Sequence, residues 1–282
     1  MRKSISSILV ILVCFGTYVL AKESDTIKIK KYNLLSISTG YSKQMIRDEA
    51  ISPFIYKGQA MPIELCYNSM GVKNYHILSF QYNNINLRSK IPDYANYKLI
   101  HYVKSTTFDF KYSFKRRLPG VSIFNSDFFM GGGFNSFFNY RDHFFTEMND
   151  EFMFDFFNSI SFDACLEKKF RSENNILSIS IDLPLISYVL MRQTYNAVVS
   201  DNYEGIDLNK DRVAQILKKG DFVSISKLFN ITAGLTYTGN LGNHLGYQFK
   251  YNLHYYKFTQ YDNLFYSRNL YTQILGGIFI KF

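Results

Sequence analysis

One adjacent pair of side chains in this sequence has the residue types for acid–base chemistry. Asp142 and His143 are the only neighbouring aspartate and histidine, and three further acids follow closely: Glu147, Asp150 and Glu151. A histidine oriented by one carboxylate and facing others can activate water, as hydrolases do. A charged connection between strands explains the same residues without catalysis. Asp142 and His143 are therefore weak catalytic candidates, and no catalytic residue is assigned.

The sequence offers little support for a metal or another cofactor. Cys66 and Cys165 have no cysteine or histidine at metal-ligand spacing. Both fall in predicted strands, and two alternatives follow: the cysteines form one disulfide, or they are isolated buried thiols. Residues 207–211 begin like a calcium loop, but Arg212 stands where the turn glycine belongs and Lys218 where the bidentate glutamate belongs. We expect no metal site and no cofactor.

The clearest structural pattern is a two-residue alternation over residues 244–255. The odd positions from Leu245 to Tyr255 are apolar, and the even positions are polar or glycine. Only a β-strand has this period. At about 3.3 Å per residue the segment spans roughly 40 Å, enough for a tilted strand to cross a bilayer. One face is predicted to meet lipid and the other the interior of a barrel.

The same alternation recurs along the chain and predicts about ten strands in a closed antiparallel up-and-down transmembrane β-barrel, an all-β fold. The predicted strands cover residues 32–41, 60–67, 75–85, 106–114, 121–140, 151–166, 175–183, 222–237, 244–255 and 269–282. Long connections at 42–59, 86–103, 141–150, 185–221 and 256–268 alternate with short ones such as 115–120, and Pro184 is predicted to end a strand. A short helix is predicted at 211–219. Gly131, Gly132 and Gly133 predict curvature, a bulge or backbone approached closely from the lumen.

Residues 1–21 read as a secretory signal peptide, and residues 22–282 as a single barrel domain. Arg2 and Lys3 precede an apolar run that ends at Ala21. The run is short and interrupted, which argues against a transmembrane anchor. The whole chain is 47% hydrophobic and 18% aromatic, yet no later run is long enough for a transmembrane helix. Its hydrophobicity is spread over alternating strands, as membrane barrels require.

The chain is basic, with a formal net charge of +9. Basic residues cluster among aromatic ones at 111–117, 168–171 and 218–219. Such clusters can bind nucleic acid, but for an exported protein we expect lipid head groups or anionic surface glycans as partners. No nucleic-acid partner is expected.

Ten polar side chains are predicted to face the interior of the barrel. They occupy strand positions opposite the apolar face: Asp109, Lys111, Asp155, Asp163, Asp182, Lys227, Gln248, Lys250, Asn252 and His254. The interior of a barrel of about ten strands is mostly filled by side chains. Enclosed polar groups need partners, so opposite charges here are expected to form salt bridges in preference to a selectivity filter.

The end of the chain carries the most specific motif. Residues 277–282, GIFIKF, look like the C-terminal β-signal of outer-membrane barrels, with Gly277, Ile280 and Phe282 as its residues; Leu275 departs from the polar residue usual at its position. On this motif and the strand pattern, residues 32–282 resemble the bacterial outer-membrane β-barrel superfamily. The resemblance implies an outer-membrane location, contact with lipid bilayer and lipopolysaccharide, and recognition by the barrel assembly machinery during insertion. It also allows an unidentified envelope partner.

Two functions are compatible with such a barrel. The first is non-enzymatic: a structural, surface-binding or narrow-pore protein with a largely filled lumen. The alternative is an outer-membrane hydrolase, either an omptin-like protease, which shares the ten-strand count, or a phospholipase. The protease requires His143 to converge with carboxylates in a cleft at the long-loop end. A soluble β-sandwich is disfavoured, because it has no reason to gather its long loops at one end.

Overall fold

The computed structural model describes residues 32–48, 54–71, 73–89, 102–123, 126–144, 151–170, 175–192, 220–260 and 265–282. The predicted signal peptide at 1–21 and the predicted helix at 211–219 lie outside them. The strands in chain order are β1 (Tyr32–Asp48), β2 (Tyr56–Ala60), β3 (Ile63–Met70), β4 (Asn74–Ser89), β5 (Tyr102–Ile123), β6 (Ser126–Phe144), β7 (Glu151–Lys169), β8 (Asn175–Arg192), β9 (Asp221–Ser224), β10 (Leu228–Asn240), β11 (Leu245–Gln260) and β12 (Phe265–Lys281). No helix in this part of the chain is long and apolar enough to cross a membrane.

The strands form one closed antiparallel ring. Strands β2 and β3 together make one interrupted strand between β1 and β4. Strands β9 and β10 both pair with β8, and β10 continues the ring to β11 and β12. The last strand then pairs with the first, from Leu34 opposite Lys281 to Asp48 opposite Ser267. Twelve strands less two interruptions give ten positions around the ring, so the predicted up-and-down barrel is confirmed.

The outer face of the barrel is apolar and the inner face is polar. In β1 the side chains of Ser36 and Ser38 are buried, while Leu35 and Ile37 are 50% and 51% exposed. Along β12 the outward positions from Leu270 to Ile280 carry mainly leucine and isoleucine. At about 3.3 Å per residue and a tilt of about 40°, these positions cover about 25 Å, the height of the apolar band of a membrane barrel. We call these outward residues of all strands the apolar band.

The strands are longer than predicted at one end of the barrel. Strand β1 continues to Asp48, β4 to Ser89 and β6 to Phe144, so parts of the predicted loops 42–59, 86–103 and 141–150 are strand. In these extensions apolar side chains such as Ile46 are buried inside and cations such as Arg47 lie outside. The strict partition into a polar inner face and an apolar outer face is therefore lost, which made these segments look like loops. The strand ends that flank the two longest connections, 90–101 and 193–220, also lie at this end, which we call the long-connection end.

Two proline-containing segments continue as strand with local irregularities. Pro184 was predicted to end a strand, but β8 runs on to Arg192 and the β7–β8 register shifts beside it, between Ile160 and Ser161. A bulge admits a proline because the bulged residue makes no ladder hydrogen bond, and proline has no N–H group to donate to one. The predicted turn at 115–120 was also wrong, since β5 continues through a register shift in which Gly120 has φ 78°.

The three consecutive glycines lie in β6 without a register shift against β5 or β7 around them. A Cβ atom at Gly133 would lie 2.8 Å from the Asp163 carboxylate and 3.0 Å from the Ser161 hydroxyl. A Cβ at Gly131 would collide with the carbonyl oxygen of Phe114. Of the alternatives predicted for these glycines, a bulge is excluded and close approach from the lumen is observed at Gly133.

Candidate functional site

The candidate site is the interior of the barrel, part of which is an open cavity. A cavity of about 810 Å³ extends from Tyr32 and Lys281, at the two ends of the described chain, to Phe137, His254 and Tyr271. Both chain ends and the short connections 71–73 and 241–244 lie at this end of the barrel. We call it the short-connection end, and the cavity opens toward it.

Ion pairs between strands line the cavity. The Lys250 ammonium lies 2.6 Å from the Glu64 carboxylate. The Lys111 ammonium lies 2.5 Å from Asp182 and 3.7 Å from Asp163. Each of the two aspartates also accepts a hydrogen bond from a serine hydroxyl. Ser113 donates to Asp163, and Ser161 donates to Asp182 at 3.1 Å. These charges are held by one another across β3, β5, β7, β8 and β11, which favours a structural role.

A second polar network lies between the cavity and the long-connection end. The Arg141 guanidinium donates to Asp155 at 2.6 Å and to Asp48 at 3.2 Å. Asp155 also accepts hydrogen bonds from the Tyr256 hydroxyl at 2.8 Å and from the Asn139 amide at 3.2 Å. The Arg141 and Asp155 side chains are 1% and 0% exposed. We call these five residues the Arg141 network. Its donors provide the buried Asp155 carboxylate with hydrogen bonds and a counter-charge.

Apolar side chains fill the interior around the Arg141 network. Two clusters contain them: Phe137, Phe157, Val189, Val223, Leu228 and Tyr256 in one, and Ile46, Tyr56, Ile85, Leu87 and Val103 in the other. The rings of Phe137 and Phe157 stack with centroids 5.8 Å apart, and Tyr256 meets Phe157 edge-on at 5.1 Å. We call these two clusters the apolar layer. Together with the Arg141 network it occupies the lumen on the long-connection side of the cavity.

The structure places the predicted lumen-facing residues at two levels. The cavity wall contains six of them: Asp109, Lys111, Gln248, Lys250, Asn252 and His254. Asp163 and Asp182 contact Lys111 beside the cavity, and Asp155 belongs to the Arg141 network. Lys227 was wrongly predicted, since its side chain is exposed in the turn between β9 and β10. The predicted strand 222–237 breaks at that turn, so alternation cannot be extended through it.

The weak catalytic pair Asp142 and His143 is not assembled. The two residues are consecutive in β6, so their side chains leave opposite faces of the strand. His143 is buried in the interior, edge-on to Tyr56 with ring centroids 6.1 Å apart. Asp142 points outward, opposite Lys104 of β5. Glu147 and Asp150 lie outside the described residues, and Glu151 of β7 lies opposite His143 in the strand register.

The two cysteines of the barrel are not bonded to each other. Cys66 and Cys165 are both free and buried, and both line the cavity. In the part of the chain that the structure describes, no group of three His, Cys, Asp or Glu side chains could hold a metal ion.

Several solved barrels are similar to this chain at low sequence identity. The outer membrane protease OmpT from Escherichia coli is 9% identical over 92% of this chain and 99% of its own, with a TM-score of 0.48. The translocator domain of the autotransporter NalP from Neisseria meningitidis is 9% identical over 96% of both chains, with a TM-score of 0.38. Neisserial surface protein A is 7% identical over 88% and 97%, with a TM-score of 0.30. No protein-family model and no curated protein sequence matches the chain.

Proposed function

We propose that the protein is a non-enzymatic β-barrel of the bacterial outer membrane that acts as a closed structural or surface-binding scaffold. The observation that carries this proposal is the filled lumen. The Arg141 network and the apolar layer occupy the interior on one side of the cavity, and their side chains are almost completely buried. A barrel blocked in this way does not offer a wide path for solutes.

The membrane location is supported by the apolar band. Exposed aromatic and aliphatic residues surround a closed ring, as in Phe249, Ile274 and Ile278, which are 58%, 60% and 55% exposed. A soluble protein rarely exposes contiguous apolar surface on this scale, whereas lipid requires it. The predicted signal peptide at 1–21 is consistent with export to this membrane.

The orientation follows from the two kinds of connection. Outer-membrane barrels have short periplasmic turns and longer external loops. The long-connection end would therefore face the outside, and the cavity would open to the periplasm. The barrel assembly machinery is the proposed partner during insertion. In support, the candidate signal residue Phe282 exchanges two backbone hydrogen bonds with Asn33, at 2.9 and 3.0 Å, where the last strand closes on the first.

Conductance in planar bilayers tests whether the lumen is closed. The intact protein is expected to give no conductance steps or small ones. The triple variant Phe137→Ala, Phe157→Ala, Tyr256→Ala removes three buried rings from the apolar layer, so its conductance should rise. The matched variant Phe108→Ala, Phe249→Ala, Tyr251→Ala removes the same ring types from the outward face and should stay closed. Large, stable steps from the intact protein would refute the closed scaffold.

A further inference from the structure

A row of cations crosses the outer face of the barrel at the long-connection end. Arg47 of β1 lies directly opposite Arg268 of β12, and Arg268 lies directly opposite Lys257 of β11. All three charged groups surround the ring of Tyr266, at 5.8, 4.0 and 5.3 Å from its centroid. The ring attracts each cation. Like charges in directly opposed positions nevertheless repel each other, so an anion placed among them would stabilise the arrangement.

The cations continue onto the next strands around the barrel. Lys57 of β2 lies directly opposite Arg88 of β4. Both of these residues, together with Lys43 of β1, border a depression of about 290 Å³ in the surface. The depression also contains the amide side chains of Gln59 and Asn86, which can donate hydrogen bonds. We call the six cations of this surface the basic rim: Lys43, Arg47, Lys57, Arg88, Lys257 and Arg268.

The strands that carry the basic rim lack acidic residues on the same face. Within the described residues, the outward positions of β1, β2, β4, β11 and β12 contain no aspartate and no glutamate. The one acid that these strands contain, Asp48 at the end of β1, is buried inside. The outward face of this side of the barrel therefore presents positive charge without carboxylates of its own strands beside it.

The basic rim lies at the edge of the apolar band. On the outward face of β12, Arg268 is the next residue beyond Ile274, Thr272 and Leu270 toward the long-connection end. On β11, Lys257 lies beyond Tyr255 in the same direction. Residues just beyond an apolar band lie among the lipid head groups, where anionic lipids attract cations. Given the orientation in the proposed function, this is the outer leaflet.

We propose that the basic rim binds the phosphate groups of the lipid A part of lipopolysaccharide. Two guanidinium groups beside two or more ammonium groups suit phosphate, because Arg binds it through paired N–H groups and Lys as a point charge. The acyl chains of the same lipid would lie along the apolar band below the rim. This inference rests on the proposed membrane location and adds the lipid class and the residues that bind it.

The test is a lipid titration of the purified protein in neutral detergent, with thermal unfolding followed by circular dichroism. Lipid A is expected to raise the melting temperature, while phosphatidylcholine and inorganic phosphate at the same concentration should not. The variant Lys257→Gln, Arg268→Gln should weaken the apparent affinity for lipid A about thirty-fold, or about five-fold for each charge. The matched variant Arg116→Gln, Lys168→Gln removes one Arg and one Lys exposed near the short-connection end and should bind lipid A like the wild type.

Each other outcome has a definite meaning. Equal loss of affinity in both double variants, or no loss in the rim variant, would overturn the site. Equal stabilisation by inorganic phosphate would show that the basic rim binds free anions, and it would overturn the assignment of lipid A as the ligand. If the protein enters bilayers but lipid A binds no better than phosphatidylcholine, this inference alone fails. If the protein does not enter bilayers at all, the proposed function fails as well.

Discussion

Replacing Arg141 with methionine is expected to lower the free energy of unfolding by about 3–5 kcal/mol, because it leaves buried carboxylates without their counter-charge. Asp155 would lose its 2.6 Å contact and Asp48 its 3.2 Å contact with the guanidinium. Tyr256 and Asn139 could still donate to Asp155, but neither carries a charge. Water cannot easily replace the guanidinium between the barrel wall and the apolar layer.

Urea unfolding of the barrel in vesicles measures this effect. The chain has no tryptophan, so the strand signal in circular dichroism is the suitable readout. The control Arg117→Met removes an arginine that pairs with Asp127 near the surface, where the two side chains are 30% and 24% exposed. It should lower the free energy of unfolding by about 1 kcal/mol or less. Adding Asp155→Asn to Arg141→Met removes one uncompensated charge and should recover part of the loss. An Arg141→Met effect as small as that of Arg117→Met would contradict the buried network.

Replacing Ile274 with lysine is expected to lower the stability of the inserted barrel by about 2–4 kcal/mol, the cost of a lysine at the middle of a bilayer. Ile274 is 60% exposed on the outward face of β12, in the centre of the apolar band. The ammonium group would have to enter lipid or pull its strand toward the surface. In a water-exposed strand the same change would be almost neutral.

The same unfolding experiment in vesicles provides the measurement, and position within the strand provides the control. Leu245 also faces outward and is 44% exposed, but it is the first residue of β11 at the short-connection end. Leu245→Lys should therefore cost no more than about 1 kcal/mol. Equal effects of the two lysines would indicate that Ile274 does not face the bilayer interior.

The barrel was predictable where the outer face of each strand is apolar. There every second residue must be apolar, and this constraint produced the alternation of 244–255 and the count of about ten strands. Residues such as Lys111, Gln248 and Lys250 could be assigned to the inner face because their neighbours in sequence face outward and are apolar. The predicted strands ended too early where this constraint ends.

Asp155 of the Arg141 network was predicted to face the interior, but the network itself could not be predicted because Asp48 and Arg141 lie beyond the apolar band. Asp48 and Arg141 were assigned to loops, since polar residues occur on both faces of the strands there. One signal was available: Ser42, Gln44 and Asp48 continue the polar inward positions of β1 at two-residue spacing, and only Ile46 among them is apolar. Asp142 and His143 looked like a pair in a loop for the same reason, and their strand separates them.

The basic rim was missed because its residues are far apart in sequence. Arg47 and Arg268 become neighbours only through the closure of β12 on β1. The basic run at 111–117, in contrast, is local in sequence but divided in space: Lys115 faces the cavity and Arg116 is exposed. In a barrel, strand register decides which charges meet, and register was not available from the sequence.

The central claim is that the outward residues of the strands face lipid, and spin labels on neighbouring residues test it most directly. Single cysteines at Gln248 and Phe249, with Cys66 and Cys165 replaced by serine, would carry the label in a reconstituted bilayer. Gln248 is 3% exposed and Phe249 is 58% exposed. We predict that the label at Phe249 collides readily with oxygen dissolved in lipid and little with a water-soluble nickel chelate, while the label at Gln248 lacks this oxygen preference. Free access of the nickel chelate to Phe249, or the same accessibility at both positions, would contradict the account.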